Sequence, residues 1–111
     1  MESAIYIVAT PIGNLSDVTI RGLDILRGVD VIAAEDTRHT RHLLDYHGIS
    51  AKLMAYHEHN ESEKAQALID IVQGGRSLAL VSDAGTPLIS DPGHALVALA
   101  KREGVKVVPI P

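Results

Sequence analysis

An open α/β sandwich, with a mostly parallel five-stranded sheet and helices on both faces, is the fold this sequence predicts, and three observations carry it. Short apolar runs alternate with helical stretches along the chain; the runs are apolar at nearly every position rather than every second one; and each ends in a loop of glycine, proline or charged residues. Continuously apolar strands belong to sheets covered on both sides, and a helix between strands is the return crossing that parallel neighbours need. With 111 residues, the chain is predicted to be one domain that buries roughly two thirds of its unfolded surface.

Ala4 to Thr10 forms a β-rich run ended by Pro11 and Gly13, and Val18 to Val29 then sets Leu23, Leu26 and Val29 three apart, a helical stripe. Val31 to Ala34 is a second buried strand. Thr37 to Tyr46 is a polar helix that stops at Gly48, where glycine takes the left-handed cap without steric cost. Leu53 to Tyr56 is a third strand, and Asn60 followed by Glu63 has capping-box spacing ahead of a helix with Ala65, Leu68, Ile69 and Val72 on one face. Gly74 and Gly75 end that helix. Ser77 to Val81 is the fourth strand, Asp91-Pro92 reads as a cap and first helical residue for a helix running to Gly104, and Val105 to Ile110 is the fifth strand.

Composition removes several classes of function. The chain has no cysteine, so disulfides and thiolate metal sites are excluded, and its formal net charge of −4 argues against a surface that grips nucleic acid all over. That balance leaves room for a local basic patch. Phe and Trp are absent and Tyr numbers three, so platforms for base stacking are scarce. The opening "MESAIYIV" is too short and acidic for a secretory signal, and no apolar run approaches the roughly 20 residues of a membrane span, so a cytoplasmic protein is expected.

Ligands of such sheets bind beyond the carboxyl ends of the strands, where this chain places its unusual loops. "ATPIGN" follows a strand without either glycine-rich nucleotide pattern, and reads equally as an ordinary turn. "AAEDTRHTRHLL" puts Glu35 and Asp36 at a strand end and Arg38 and Arg41 on the helix behind. It is either a helix cap with a solvated charged face or a cleft edge where an arginine meets a phosphate and a carboxylate orients a hydroxyl. In "YHEHNE", His57 and His59 flank Glu58, yet tetrahedral metal needs more ligands than the stretch offers, so no metal is expected; Asn60 most simply caps the next helix. "VSDAGTPLISDPG" is longer and more constrained than a turn requires, which suits a backbone that must touch a ligand.

Together, "YIVATPIGNLSD", "AAEDTRHTRHLL", "YHEHNE", "LVSDAGTPLISDPG" and "VVPIP" resemble, in order and across essentially all of the chain, the start of the small-subunit ribosomal RNA 2′-O-methyltransferase family, within the tetrapyrrole methylase superfamily. Tetrapyrrole-methylating members typically carry a glycine-rich first loop and a "GDP" after the fourth strand. This chain has "TPIGN" and Gly85-Thr86-Pro87 there, which favours RNA over a tetrapyrrole or other small-molecule substrate. The resemblance implies a two-domain enzyme, commonly a homodimer, that binds S-adenosylmethionine between its domains and methylates a cytidine ribose of the small ribosomal subunit. This chain would be the first domain, inactive alone. By position, Gly85, Thr86, Pro87 and Ile89, with Ile12, would approach the methionine part of the cofactor, and Asp83 would brace that loop. Glu35, Asp36, His57 and Asn60 would serve the hydroxyl, and Arg38 or Arg41 would hold a phosphate. Which carboxylate takes the proton stays open.

Overall fold

The computed structural model describes residues 1–11, 15–82 and 91–110. Five strands, β1 (Ile5–Ala9), β2 (Val31–Ala34), β3 (Lys52–Ala55), β4 (Leu78–Ser82) and β5 (Val107–Ile110), form one sheet in the order β3-β2-β4-β1-β5. Every neighbouring pair is parallel. Between them run α1 (Ile20–Gly28), α2 (Thr37–Tyr46), α3 (Glu61–Gln73) and α4 (Asp91–Arg102), with a 3-10 turn at Leu15–Asp17.

The predicted elements are all found, with ends shifted by one or two residues. Helix α1 begins only at Ile20 because Thr19 caps it, its hydroxyl accepting from the Gly22 amide at 3.0 Å. Asp91 lies inside α4 rather than capping it, so Pro92 falls at the second helical position. Helix α2 ends as its sequence requires: Gly48 has φ of 66°, and the Ile49 amide turns back to the Leu44 carbonyl at 2.8 Å. For α3 the left-handed residue is Gly75, at φ 94°, rather than Gly74.

Alternation within the strands divides the core into two layers. Tyr6, Val8, Ile32, Ala34, Ala79 and Val81 face α1 and α2, packing on Leu26, Leu43 and Leu44. Ile5, Val31, Ala33, Leu78 and Leu80 face α3 and α4, packing on Leu68, Ile69, Leu96 and Ala100. The division follows from the handedness of parallel crossings. The connections β1 to β2 and β2 to β3 travel toward the β3 edge and carry their helices on one face. Those from β3 to β4 and β4 to β5 travel the opposite way, and a right-handed crossing that reverses direction must change face.

Strands β1 and β4 are adjacent, yet the helices that follow them lie on opposite faces of the sheet, which makes their carboxyl ends the switch point at which open α/β sheets take ligands. At the sheet's other end, Ser77 and Asp30 join the starts of β4 and β2. The Asp30 carboxylate accepts from the Ser77 amide at 2.8 Å and its hydroxyl at 3.1 Å, and these bonds hold its pKa below the ordinary carboxylate value. On the outer strand β5, the Lys106 carbonyl accepts from Ile5, so alternation turns Pro109 away from β1 and its missing N–H toward the open side.

Candidate active site

The carboxyl edge is built from four strand ends in register. Ala9 of β1 pairs with Ser82 of β4, and Ala34 of β2 with both Val81 of β4 and Ala55 of β3. Pairing continues one residue beyond the strands. The Thr10 amide donates to the Ser82 carbonyl at 2.8 Å, with the Thr10 hydroxyl on the same oxygen at 3.2 Å, and the Tyr56 amide donates to the Ala34 carbonyl at 2.9 Å. What emerges from each strand is thus held at a fixed spacing from its neighbour.

From β2 the chain passes through exposed Glu35 to Asp36, which caps α2. One oxygen of Asp36, Oδ1, accepts from the amides of both Arg38 and His39 at 3.1 Å. A carboxylate there also favours the positive end of the helix dipole. Glu35 has no partner among the described residues. Among those residues the Glu35 carboxylate makes no bond, where that of Asp36 is half committed.

From β3 the chain makes a tight turn through His57 to Asn60. Asn60 occupies the cap position of α3 but makes no side-chain bond to the helix, contrary to the capping-box spacing. Its amide group turns back instead. Oδ1 accepts from the His57 amide at 2.8 Å, and Nδ2 donates to the Ala55 carbonyl at 3.0 Å, so one side chain ties the turn to the strand. The physical reason is local: the Asn60 carbonyl already receives Glu63 and Lys64, while the His57 amide lacks any partner within the turn. His57 is thereby oriented as well. Its Nδ1 accepts from the His59 amide at 3.2 Å, which leaves the proton of the neutral ring on Nε2.

Three side chains that the motifs did not single out as functional fasten the elements around this edge, two of them near it and His47 at the far end of α2. His39 on α2 meets the Pro11 carbonyl at 3.2 Å and His47 meets the Leu15 carbonyl at 2.7 Å; a carbonyl can only accept, so both rings carry a proton on Nε2. The two imidazoles fasten α2 to both sides of the first loop. Tyr56, 1 % exposed, donates its hydroxyl to the Pro92 carbonyl at 2.7 Å and so ties the end of β3 to the first turn of α4. Burial, with a smaller contribution from Glu61, raises the phenol pKa to about 12.

The edge thus brings Glu35, Asp36 and Arg38, from β2 and α2, beside His57 and Asn60 from the neighbouring strand. The sequence-predicted Ile12, Asp83, Gly85, Thr86, Pro87 and Ile89 lie outside the described residues. Arg38 and Arg41 line a shallow groove between α2 and β3. Among the described residues no cluster of His, Asp and Glu is arranged to hold a metal, and no helix is long and apolar enough to cross a membrane.

A wholly parallel sheet with helices on both faces and a reversal of its crossings between β1 and β4 define an α/β domain of the open-sheet class. The family is more specific. The chain belongs to the tetrapyrrole (corrin/porphyrin) methylases, whose family model matches residues 4–111. It is 62% identical over 107 residues to the ribosomal RNA small subunit methyltransferase I of Vibrio cholerae, covering 96% of this chain and 37% of that protein. To the protein of the same name from Escherichia coli O157:H7 it is 56% identical over 110 residues, covering 99% of this chain and 38% of that protein. The chain therefore spans under two fifths of the length of these relatives. Among solved structures, a cobalt precorrin-4 methyltransferase of cobalamin biosynthesis superposes with a TM-score of 0.81 at 22% identity, over 98% of this chain and 45% of that one. The uroporphyrin-III C-methyltransferase of Thermus thermophilus does so at 0.74 and 17%, over 98% and 47%. At those identities the likeness is one of fold.

Proposed function

We propose that this chain is the first domain of an S-adenosylmethionine-dependent enzyme that methylates a cytidine ribose 2′-hydroxyl in small-subunit ribosomal RNA, as a cytoplasmic homodimer. The observation that carries the reading is the 62% identity to the Vibrio cholerae ribosomal RNA methyltransferase, sustained over 107 residues.

The switch point between β1 and β4 suits the cofactor's sulfonium, since its described strand ends, Ala9, Thr10, Pro11 and Ser82, bring no cation. Ile12, Gly85, Thr86, Pro87 and Ile89 would meet the methionine part by backbone and small side chains, with Asp83 bracing them. When bound, the cofactor supplies a methyl group that passes from sulfur to the ribose 2′-oxygen as the hydroxyl proton leaves and the thioether departs. The protein's share is orientation and proton acceptance. Holding the hydroxyl in line lowers the barrier by roughly 7–11 kcal/mol when geometry is good.

Glu35 is the acceptor that fits, being a carboxylate at the edge with no partner among the described residues, whereas Asp36 spends an oxygen on α2 and acts by placing Arg38. His57 offers an N–H at Nε2 to a substrate oxygen, and Asn60 fixes the turn that aims it. Arg38 takes the phosphate beside the ribose.

The test is methyl transfer by the full-length protein from labelled cofactor to unmethylated small ribosomal subunits, with the label located by mass spectrometry. Label is expected on a ribose 2′-oxygen, and Glu35→Gln is expected to lower kcat by about 100-fold or more with cofactor affinity unchanged. Label found only on a tetrapyrrole offered in its place would overturn the reading.

A further inference from the structure

We propose that the groove between α2 and β3 is a track for the sugar-phosphate backbone of single-stranded RNA, engaging at least two successive phosphates on the way to the reaction edge. This deepens the reading of the chain as part of a ribosomal RNA methyltransferase and rests on it.

The chain as a whole is acidic, at −4, yet this groove is not. Its α2 wall carries Arg38, Arg41 and His42, all exposed, against one carboxylate, Asp45, at the far end of the helix. No arginine of the described residues is in an ion pair, and Arg38 and Arg41 are set apart by sharing one groove wall. Here the ion pairs of the described residues lie elsewhere, between Lys106 and Glu2 and between His59 and Glu58. Among the described residues Arg41 reaches only the Ala51 carbonyl, at 3.5 Å. Two guanidinium forks without a carboxylate partner among the described residues, three residues apart, sit as neighbours on one helix face and suit anionic oxygens spaced along a chain.

The floor says which part of the RNA is held. It consists of half-buried Leu53 and Ala55, and no Phe, Tyr or Trp is among the described residues lining the groove, so the large rings on which successive bases stack are missing from it. Its charged forks match phosphate oxygens, which carry no sequence information, so the groove suits the backbone of the strand. Its upper end lies between Thr37, directly after Asp36, and Ala55, directly before Tyr56 and His57. A strand leaving the groove there arrives beside Glu35 and His57. Asp45 at the lower end repels phosphate and limits the track to the first two turns of α2.

The experiment measures binding of the full-length protein to a mixed-sequence single-stranded oligoribonucleotide over a range of salt concentrations. Each lost phosphate contact removes about 0.7 from the slope of log affinity against log salt. Arg38→Gln/Arg41→Gln is expected to flatten the slope by about 1.4 and to weaken binding about tenfold or more at low salt. Arg38→Lys/Arg41→Lys keeps the charges and retains the slope. Lys101→Gln/Arg102→Gln, at the distant end of α4, leaves slope and affinity unaltered. An unchanged slope in the Gln pair, or an equal change in the α4 pair, overturns the proposal. Methyl transfer to small subunits, measured alongside, separates the two readings. A normal reaction with an unchanged slope rejects the groove alone; a flattened slope without any transfer by the unsubstituted protein rejects the reaction alone.

Discussion

Removing one oxygen from Tyr56 tests how the sheet edge is held together. In Tyr56→Phe the ring stays in its pocket and only the bond to the Pro92 carbonyl is lost. Pro92 is in the first turn of α4, where its carbonyl can still receive a helical amide, so the cost is that of one neutral hydrogen bond, about 0.5–1.5 kcal/mol. For a domain of this size that lowers Tm by about 2–6 °C at pH 8. The ionisation of the phenol makes the prediction sharper. Its folded pKa is raised to about 12, above the ordinary 10. The protonated phenol's contribution is therefore complete below pH 10 and is lost as pH rises toward 12, by on the order of 1 kcal/mol at pH 11. Phenylalanine cannot ionise. Urea unfolding of the two proteins from pH 8 to pH 11 should show a stability gap that closes as pH rises. A gap constant across that range would mean that the hydroxyl is neither buried nor bonded as described.

Asp36→Ala should lower Tm by several degrees through the lost cap, about 1 kcal/mol, while Asp36→Asn should keep both stability and methyl transfer, as thermal melts and label counting would show. Transfer abolished by Asp36→Asn would move the proton acceptor from Glu35 to Asp36. Asp30 has a lowered folded pKa, so its contribution is full above the ordinary value of 3.8 and is lost as pH falls below it. In urea titrations between pH 7 and pH 3, Asp30→Asn should lose less stability on acidification than the unsubstituted protein. Leu43→Ala, emptying a fully buried site in the layer under α2, should cost about 2–5 kcal/mol by denaturant unfolding.

The elements were legible because each is announced locally: Val31 to Ala34 is a short apolar run between polar turns, and Gly48 stops α2 where only glycine is comfortable. What decides the edge is not local. His39 and His47 bond to carbonyls 28 and 32 residues away, and nothing in "EDTRHT" marks an imidazole that will meet Pro11. Asn60 shows the converse. Its spacing to Glu63 suits a cap, but spacing does not say which way a side chain turns when a neighbouring amide, that of His57, is left without a partner. Nor does any residue announce that β4 will enter between β2 and β1, because the order of a parallel sheet is set by the packing of whole crossings. The site candidates on β2 and β3 could therefore be named from sequence as neighbours in kind. Ranking Glu35 over Asp36 needed the geometry of the helix cap.

Pro109 has a meaning for how this protein behaves in a crowded solution. A sheet margin with a full row of outward amides is a template on which a stray extended segment can zip, and parallel sheets form slowly enough to expose such margins during folding. On the β5 side that row is interrupted at Pro109, which has no hydrogen to offer. On the β3 side the strand is only four residues long and begins with exposed Lys52, so a second chain growing there would meet a charge that it must strip of water. Both margins are thus poor seeds for sheet extension, and replacing Pro109 with valine would restore the missing donor and turn a quiet border into a sticky one.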